Sequence, residues 1–192
     1  MKKTIIIIVL ILLFTLFQFA DSKKVDNKTQ KFNIQINGNY ILFSDDDYKK
    51  VYSDATFFPE LKIGYLIYKK IYVWTSFGIL SATGDIEELD EEAKSNQTYM
   101  KLGLGYRGII GKKFGYSMNI GGFLAKYKEE AFGEINSDSA IGFSTGISLN
   151  YNFTKRLYFV LGLSYMTAKD SIADKSFKIG GINSFIGIGF RF

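Results

Sequence analysis

Long runs in which apolar residues alternate with small or polar ones are the feature that most constrains this chain. The clearest run lies near the C-terminus, where Leu157, Phe159, Leu161, Leu163 and Tyr165 alternate with Tyr158, Val160, Gly162 and Ser164. A period of two predicts a β-strand, because successive side chains of a strand point to opposite faces. Runs of about ten residues have the length that a tilted strand needs to cross a bilayer, whereas strands of soluble sandwiches are usually nearer five or six.

Eight segments carry such a run, although the first three alternate less cleanly. They are residues 32–43, 58–68, 71–80, 99–107, 114–124, 141–151, 157–165 and 182–192. One face is apolar and the other is rich in Gly, Ser and Asn, which predicts a narrow, semi-polar interior with the apolar face toward lipid. Aromatic residues at 17%, 19 Gly and a single Pro agree with strands and turns. The predicted fold is all-β, an eight-stranded antiparallel transmembrane β-barrel.

The predicted connections alternate in length and charge. Dibasic pairs mark tight turns at equal spacing: Lys69-Lys70, Lys112-Lys113 and Lys155-Arg156. Longer polar segments at 44–57, 80–97, 128–139 and 167–177 hold most of the acidic residues. This is the layout of bacterial barrels, with short periplasmic turns and longer extracellular loops. Aromatic residues gather near the dibasic turns and predict a girdle at the membrane boundary: Tyr65, Tyr68, Tyr72, Trp74, Tyr106, Phe114, Tyr116, Tyr151, Phe153, Tyr158 and Phe159.

The N-terminus has the pattern of a secretory signal peptide. Met1-Lys2-Lys3-Thr4 is followed by a mostly apolar stretch from Ile5 to Phe19, slightly too short for a comfortable transmembrane helix. Ala20-Asp21-Ser22 offers a small-x-small cleavage site, with cleavage after Ser22 preferred over Ala20 and an uncleaved anchor as the alternative. The predicted organisation is a signal peptide at 1–22, a periplasmic lead-in at 23–30 and an outer-membrane barrel domain at 31–192.

Two residue types are absent, and their absence excludes several kinds of site. The chain has no Cys and no His, so disulfides, zinc sites with those ligands and Ser-His-Asp or Cys-His catalytic sites are excluded. The net charge of +5 comes from basic and acidic residues sorted by position, not from a basic patch with interleaved aromatics. We therefore expect no nucleic-acid partner, no metal site and no cofactor.

The last residues read Gly187-Ile188-Gly189-Phe190-Arg191-Phe192. Together with the signal peptide and the hairpin periodicity, this ending resembles the small OmpA/OmpX-like outer-membrane barrels over residues 31–192. The resemblance implies insertion by the barrel-assembly machinery, with Gly187, Phe190 and Phe192 as the assembly signal and outer-membrane lipid as the surroundings. Ile186 departs from the family pattern, which usually has a polar residue before that glycine.

Members of such families include envelope-stabilising proteins, adhesins, narrow channels and lipid-modifying enzymes, so the fold does not fix the function. The enzymes among these barrels rely on a histidine, and this chain has none. A Ser-Lys or Asp-Asp mechanism remains conceivable, but no spacing in the sequence indicates one. We therefore expect no catalytic residue.

Five charged residues fall on predicted lumen faces: Glu60, Lys62, Lys101, Arg107 and Arg191. Glu60 and Lys101 are expected toward the loops, and Arg107 and Arg191 toward the turns. Buried charges must be paired or hydrated. One interpretation is a structural polar plug. The other is a narrow ion channel in which Glu60 switches partners and acts as a gate.

The loops offer a third kind of surface. Residues 85–92 contain six carboxylates, but they lack the ordered ligand positions of an EF-hand, and a solvated acidic loop is the simpler interpretation. Ile86, Leu89 and Ala93 have helical spacing, which predicts one amphipathic turn. Tyr48, Tyr52, Phe57 and Phe132 add aromatic contact surface. The sequence favours a non-enzymatic envelope protein with a structural role or a surface or host ligand at its acidic loops. The alternatives are a narrow channel and a soluble, secreted barrel.

Overall fold

The computed structural model describes residues 30–52, 55–86, 91–131, 134–172 and 175–192. The predicted signal peptide and residues 23–29 of the predicted lead-in lie outside the described residues. The described part contains one helix and eight strands: β1 Phe32–Phe43, α1 Asp46–Tyr52, β2 Ala55–Tyr68, β3 Ile71–Ile86, β4 Glu91–Ile110, β5 Phe114–Ala131, β6 Glu134–Asn152, β7 Leu157–Ile172 and β8 Lys175–Arg191. The described helix is too short to be a candidate membrane span.

Each strand pairs antiparallel with the next, and β1 pairs with β8 to close the barrel. The predicted eight-stranded antiparallel barrel is therefore confirmed. The tight connections 69–70, 111–113 and 153–156 lie at one end, which we call the turn end. Lys69 and Gly111 have positive φ angles of 43° and 66°, conformations that tight reversals require. The opposite end, where α1 lies, is the loop end.

The strands extend further toward the loop end than the alternation predicts. Residues 80–97 were expected to form a loop, but β3 continues to Ile86 and pairs there with Glu91 of β4. The predicted amphipathic turn is also wrong, because Ala93 pairs with Gly84 within this ladder, and Leu89 lies outside the described residues. Where both faces of a sheet meet water, alternation disappears although backbone pairing continues. The hydrophobic pattern therefore marks the lipid-facing length of each strand, not its end.

Four strands stand taller than their neighbours. The β2–β3 ladder ends at Glu60↔Gly78 and the β6–β7 ladder at Gly142↔Ala168, while the β5–β6 ladder runs on to Ala131↔Glu134. The upper parts of β3 to β6 thus form a four-stranded sheet above the rest of the rim. We call this sheet the raised wall and define it as residues 81–86, 91–96, 126–131 and 134–139.

The outer surface below the raised wall is apolar. Outward-facing side chains such as Ile36, Leu102 and Ile188 are 58–65% exposed, which a water-soluble protein would avoid in such number. A continuous exposed apolar band is the lipid-facing surface of a membrane barrel. Leu61, Ile79, Leu104, Ile120, Leu149, Leu161, Leu163, Ile182 and Ile186 belong to the same band.

The aromatic girdle at the turn end is smaller than the sequence suggests. Tyr65, Tyr68, Phe114 and Phe153 are exposed at this boundary. Other aromatic residues expected there face the lumen instead and are buried: Tyr72, Trp74 and Tyr158. Their assignment to the girdle was wrong because proximity to a turn does not determine which face of a strand a residue occupies. In β7, Leu157 is exposed and its neighbour Tyr158 therefore points inward.

Candidate functional site in the barrel lumen

The lumen divides into two halves of opposite character. Nearest the turn end is the polar half, whose inward side chains include Asn33, Gln35, Asn37, Glu60, Lys62, Tyr72, Trp74, Ser76, Lys101, Arg107, Ser117, Asn119, Ser148, Asn150, Tyr158 and Arg191, with the buried apolar residues Leu66, Val160 and Phe185 among them. Nearest the loop end is the apolar half, formed by Ile41, Phe43, Phe58, Leu80, Ala82, Ala93, Tyr99, Phe123, Ala125, Tyr127, Ala140, Met166, Ala168 and Ile179. The expected semi-polar interior describes the first half better than the second, where Ser95 and Gln97 are buried among mostly apolar and aromatic side chains.

Glu60 and Lys101 lie where the two halves meet. Lys101 Nζ donates to Glu60 Oε2 in a buried ion pair. Asn37 Nδ2 donates to Glu60 Oε1 at 3.3 Å, and Gln35 Nε2 donates to Asn37 Oδ1 at 2.7 Å. The carboxylate thus has both a countercharge and an amide donor, which a buried ionised group requires. This arrangement fixes the pair beneath the apolar half rather than at the rim.

Lys62 lies one inward position closer to the turn end on β2. Its Nζ lies 4.5 Å from the ring centroid of Trp74, a cation–π contact. Trp74 Nε1 in turn donates to the backbone oxygen of Leu104 at 3.1 Å, which fixes the orientation of the ring. Ser76, in register with both Lys62 and Lys101, buries a hydroxyl oxygen that has no hydrogen-bond partner among the residues that the structure describes.

Arg107 and Arg191 lie at the turn end of the lumen. Arg107 Nη2 donates to the backbone oxygen of Gln30 at 2.7 Å, and Arg191 Nη1 donates to Asn152 Oδ1 at 2.6 Å. The guanidinium of Arg191 also stacks on Tyr158, 4.0 Å from the ring centroid. Lys62, Arg107 and Arg191 all line one small cavity of about 30 Å³. Of the five predicted lumen charges, the structure thus brings two together as an ion pair and three around this cavity.

Helix α1 covers the loop end of the lumen. Tyr52 is buried, and Tyr48 and Val51 pack against the apolar half. The Tyr48 ring lies 4.5 Å from that of Phe43 and 4.6 Å from that of Tyr52. Burial raises the pKa of Tyr48 to about 12. Tyr48 and Tyr52 were expected to form external contact surface, and this expectation was wrong because both rings pack inward.

Local sequence explains why a helix forms at this position. Asp45 Oδ1 accepts hydrogen bonds from the backbone N–H groups of Asp47 and Tyr48 at 3.1 and 3.0 Å, as an N-cap residue does. Asp45 Oδ2 accepts a third, at 2.7 Å, from the backbone N–H of Lys178, which ties the cap to β8. A side chain in place of Gly84 would collide with the backbone oxygen of Val51, so the small residue lets the helix approach β3. The signal was visible in the sequence as Asp45-Asp46-Asp47 followed by aromatic residues at i and i+4.

The residues of the expected assembly signal are at the seam between β8 and its neighbours. Gly187 packs against Asn37, and a side chain there would collide with it. The Phe190 and Phe192 rings lie 4.9 Å apart, and Phe192 lies 5.8 Å from Phe32 of β1. Their role in assembly stays a prediction. Among the residues that the structure describes, no three acidic side chains converge on a metal site. The side chains of residues 85–92 lie outside that description.

The barrel is similar to solved structures of small outer-membrane proteins. OprG from Pseudomonas aeruginosa matches with a TM-score of 0.68 at 15% identity, covering 88% of this chain and 99% of that one. Neisserial surface protein A matches with a TM-score of 0.63 at 12% identity, covering 84% and 97%. Ail of Yersinia pestis in complex with the heparin analogue sucrose octasulfate matches with a TM-score of 0.52 at 20% identity, covering 84% and 97%.

No family model and no curated protein sequence matches this chain. At these identities the structural likeness establishes the fold only. It confirms the predicted resemblance to small eight-stranded outer-membrane barrels. The expected location in the bacterial outer membrane agrees with these neighbours and with the exposed apolar band.

Proposed function

We propose that this protein is a closed, non-enzymatic barrel of the outer membrane that acts through its raised wall. The observation that carries the proposal is the filled lumen. Phe58, Leu80, Tyr99 and Met166 are completely buried side by side, and α1 covers them. Such packing leaves neither the width nor the polar lining that a hydrated ion needs. A closed barrel leaves its outer surface as the part that meets a partner.

The channel hypothesis has less support. Glu60 and Lys101 lie on the turn side of the apolar half, so an exchange of partners at Glu60 would leave the aromatic packing above it unchanged. Opening a path would require α1 to leave and several buried rings to move together. The polar half therefore supports the alternative interpretation, a structural polar plug, and the gate has no observation in its favour.

The outer face of the loop end carries exposed lysines just above the apolar band. Lys126 and Lys128 project from β5 in the raised wall, and Lys169 and Lys178 project from the adjoining β7–β8 hairpin. Lys169 and Lys178 are directly opposite each other in the ladder, where like charges repel. Asp46 of α1 interacts with Lys178 and offsets part of this repulsion. Glu130 is exposed on the same face of β5, so the proposed contact is this group of lysines and not a uniformly cationic wall. Exposed lysines recruit anionic partners by long-range attraction, which nearby carboxylates weaken.

The ligand class we propose is therefore a sulfated or phosphorylated surface polymer. The structural neighbour Ail was crystallised with a heparin analogue, so a barrel of this fold accommodates a sulfated sugar. The sequence suggested acidic loops as the contact surface. The described lysines instead favour an anionic partner at the wall.

Two measurements test this proposal. The refolded protein in a planar bilayer should give no discrete conductance steps, and regular openings would contradict the closed barrel.

Immobilised heparin should retain the wild-type protein and release it with salt. A Lys126→Gln, Lys128→Gln, Lys169→Gln, Lys178→Gln variant should bind at least tenfold more weakly. The matched control changes Lys69, Lys70, Lys112 and Lys113 at the turn end to Gln, which alters net charge equally. Equal loss in both variants would refute a localised site.

A further inference from the structure

The polar half of the lumen contains more positive than negative charge. Its ionisable carboxylate among the described residues is Glu60, which pairs with Lys101. Three more cations remain at this end: Lys62, Arg107 and Arg191. The imbalance is a property of the lumen itself, separate from the lysines of the outer wall.

The contacts of these three cations do not neutralise them. Lys62 faces the ring of Trp74, Arg107 a backbone oxygen, and Arg191 an amide oxygen and the ring of Tyr158. The Glu60 carboxylate also acts on Lys62, but it is already paired with Lys101 and cannot balance all four cations. These groups orient a cation and replace part of its hydration, but none of them carries a negative charge. Like charges in a confined space of low dielectric repel one another more strongly than in water. The arrangement therefore favours a mobile counter-ion.

The same cavity offers hydrogen-bond donors around its wall. Besides the ammonium and the two guanidinium groups, Tyr72, Tyr158 and Ser117 line it with hydroxyl groups. None of the described residues that line the cavity is acidic. The Tyr158 hydroxyl is held in place, donating to Gln35 Oε1 at 3.2 Å and accepting from Asn33 Nδ2 at 3.3 Å. Because the Tyr158 hydrogen is donated to Gln35 and the Ser117 hydroxyl bonds that of Ser148 at 2.7 Å, the three cations are the main donors left for a ligand. A described lining with cations and no acid suits an anion.

The size of the cavity narrows the ligand class. A volume of about 30 Å³ holds one small ion or one to two water molecules. We propose that this cavity binds a single halide-sized anion, chloride in ordinary media, which holds Lys62, Arg107 and Arg191 together and stabilises the turn end of the barrel. The site is independent of the proposed polymer-binding wall, since it lies at the opposite end and inside the lumen.

Thermal unfolding tests the proposal, because a ligand that binds only the folded state raises its stability. The refolded protein in detergent should melt at a higher temperature in sodium chloride or bromide than in sodium gluconate of equal ionic strength, since gluconate is too large for the cavity. A Lys62→Met, Arg191→Gln variant should lose this difference. Its control is Lys155→Gln with Arg156→Gln, exposed at the same end, which should keep it. Equal melting of the wild type in both salts would overturn the proposal.

Diffraction provides a readout that does not depend on a variant that folds. Crystals of the wild-type protein grown in bromide should give an anomalous peak among Lys62, Arg107 and Arg191. A cavity without such a peak, in crystals with bromide at other sites, would mean that water alone solvates the three cations. Stronger protection by sulfate than by chloride would overturn the size argument. Neither outcome bears on heparin binding at the wall, so the two proposals fail separately.

Discussion

The two halves of the lumen are stabilised by different means. The apolar half resembles the core of a soluble protein, with Phe58, Leu80 and Tyr99 excluded from solvent by close packing. The polar half is held by an ion pair, an amide chain and cation–π contacts around Glu60 and Lys101. Dispersion and burial tolerate small shifts in position, whereas buried charges must have partners. A change in the polar half should therefore depend on charge, and a change in the apolar half on volume.

Removing Lys101 should produce the largest effect. Lys101→Ala leaves the Glu60 carboxylate buried without its ammonium partner, and we expect a loss of about 4 kcal/mol in the free energy of unfolding. Urea unfolding in lipid vesicles, followed by the fluorescence of Trp74, the only tryptophan, measures it. The double variant Glu60→Gln, Lys101→Met should recover most of the loss, because it removes both charges at similar volume. If the double variant were as unstable as Lys101→Ala, the stability of the polar half would not depend on the pairing of charges.

The matching change in the apolar half is Leu80→Ala. Leu80 is fully buried in the lumen, while its neighbour Ile79 is 51% exposed on the lipid-facing surface. Leaving a cavity among Phe58, Tyr99 and Met166 should cost about 3 kcal/mol, and no change of charge elsewhere should restore it. Ile79→Ala on the same strand is the control, and the same urea experiment should show a clearly smaller loss. Equal losses would mean that the loop end of the lumen is not packed as a core.

The sequence predicted the barrel well because lipid imposes a strict rule on one face of each strand. The eight strands and the inward position of Glu60 follow from a period of two, and the dibasic pairs marked the short turns. The rule ends at the membrane boundary. Beyond it, β3 continues to Ile86 and β4 begins at Glu91, both within the segment that was predicted to be a loop. It also says little about the lumen, where Phe58 and Lys62 occupy inward positions on the same strand.

The division into two halves was not predictable for the same reason. The contacts between inward residues depend on the stagger between strands. That stagger is set when β1 pairs with β8 and closes the barrel, and no local sequence pattern encodes it. The cluster of Lys62, Arg107 and Arg191 draws on β2, β4 and β8, which no local pattern links. Helix α1, by contrast, had a local signal in the Asp45 cap and was missed because the surrounding segment is rich in charge.

Alkaline pH should affect the two halves of the lumen differently, because it acts on helix α1, which covers the apolar half. Burial raises the pKa of Tyr48 to about 12, above its ordinary value of 10.0. The neutral phenol is therefore favoured in the folded state. The resulting stabilisation is fully present below pH 10 and is lost as the pH rises through about 12, by roughly 2 kcal/mol.

We expect α1 to detach in this interval while the polar half stays intact. Hydrogen exchange of residues 46–52, normalised for the intrinsic rate at each pH, should accelerate between pH 10 and 12 more than exchange in β1 near Gln35. Tyr48→Phe removes the titrating hydroxyl at the cost of its hydrogen bond from Gln97, which is 3.1 Å long in the wild type. The variant should lose the part of the pH dependence that Tyr48 contributes and keep the part due to Tyr52, whose pKa burial also raises. If α1 of the wild type were equally protected from exchange at pH 10 and at pH 12, the ionisation of Tyr48 would not control the attachment of this helix.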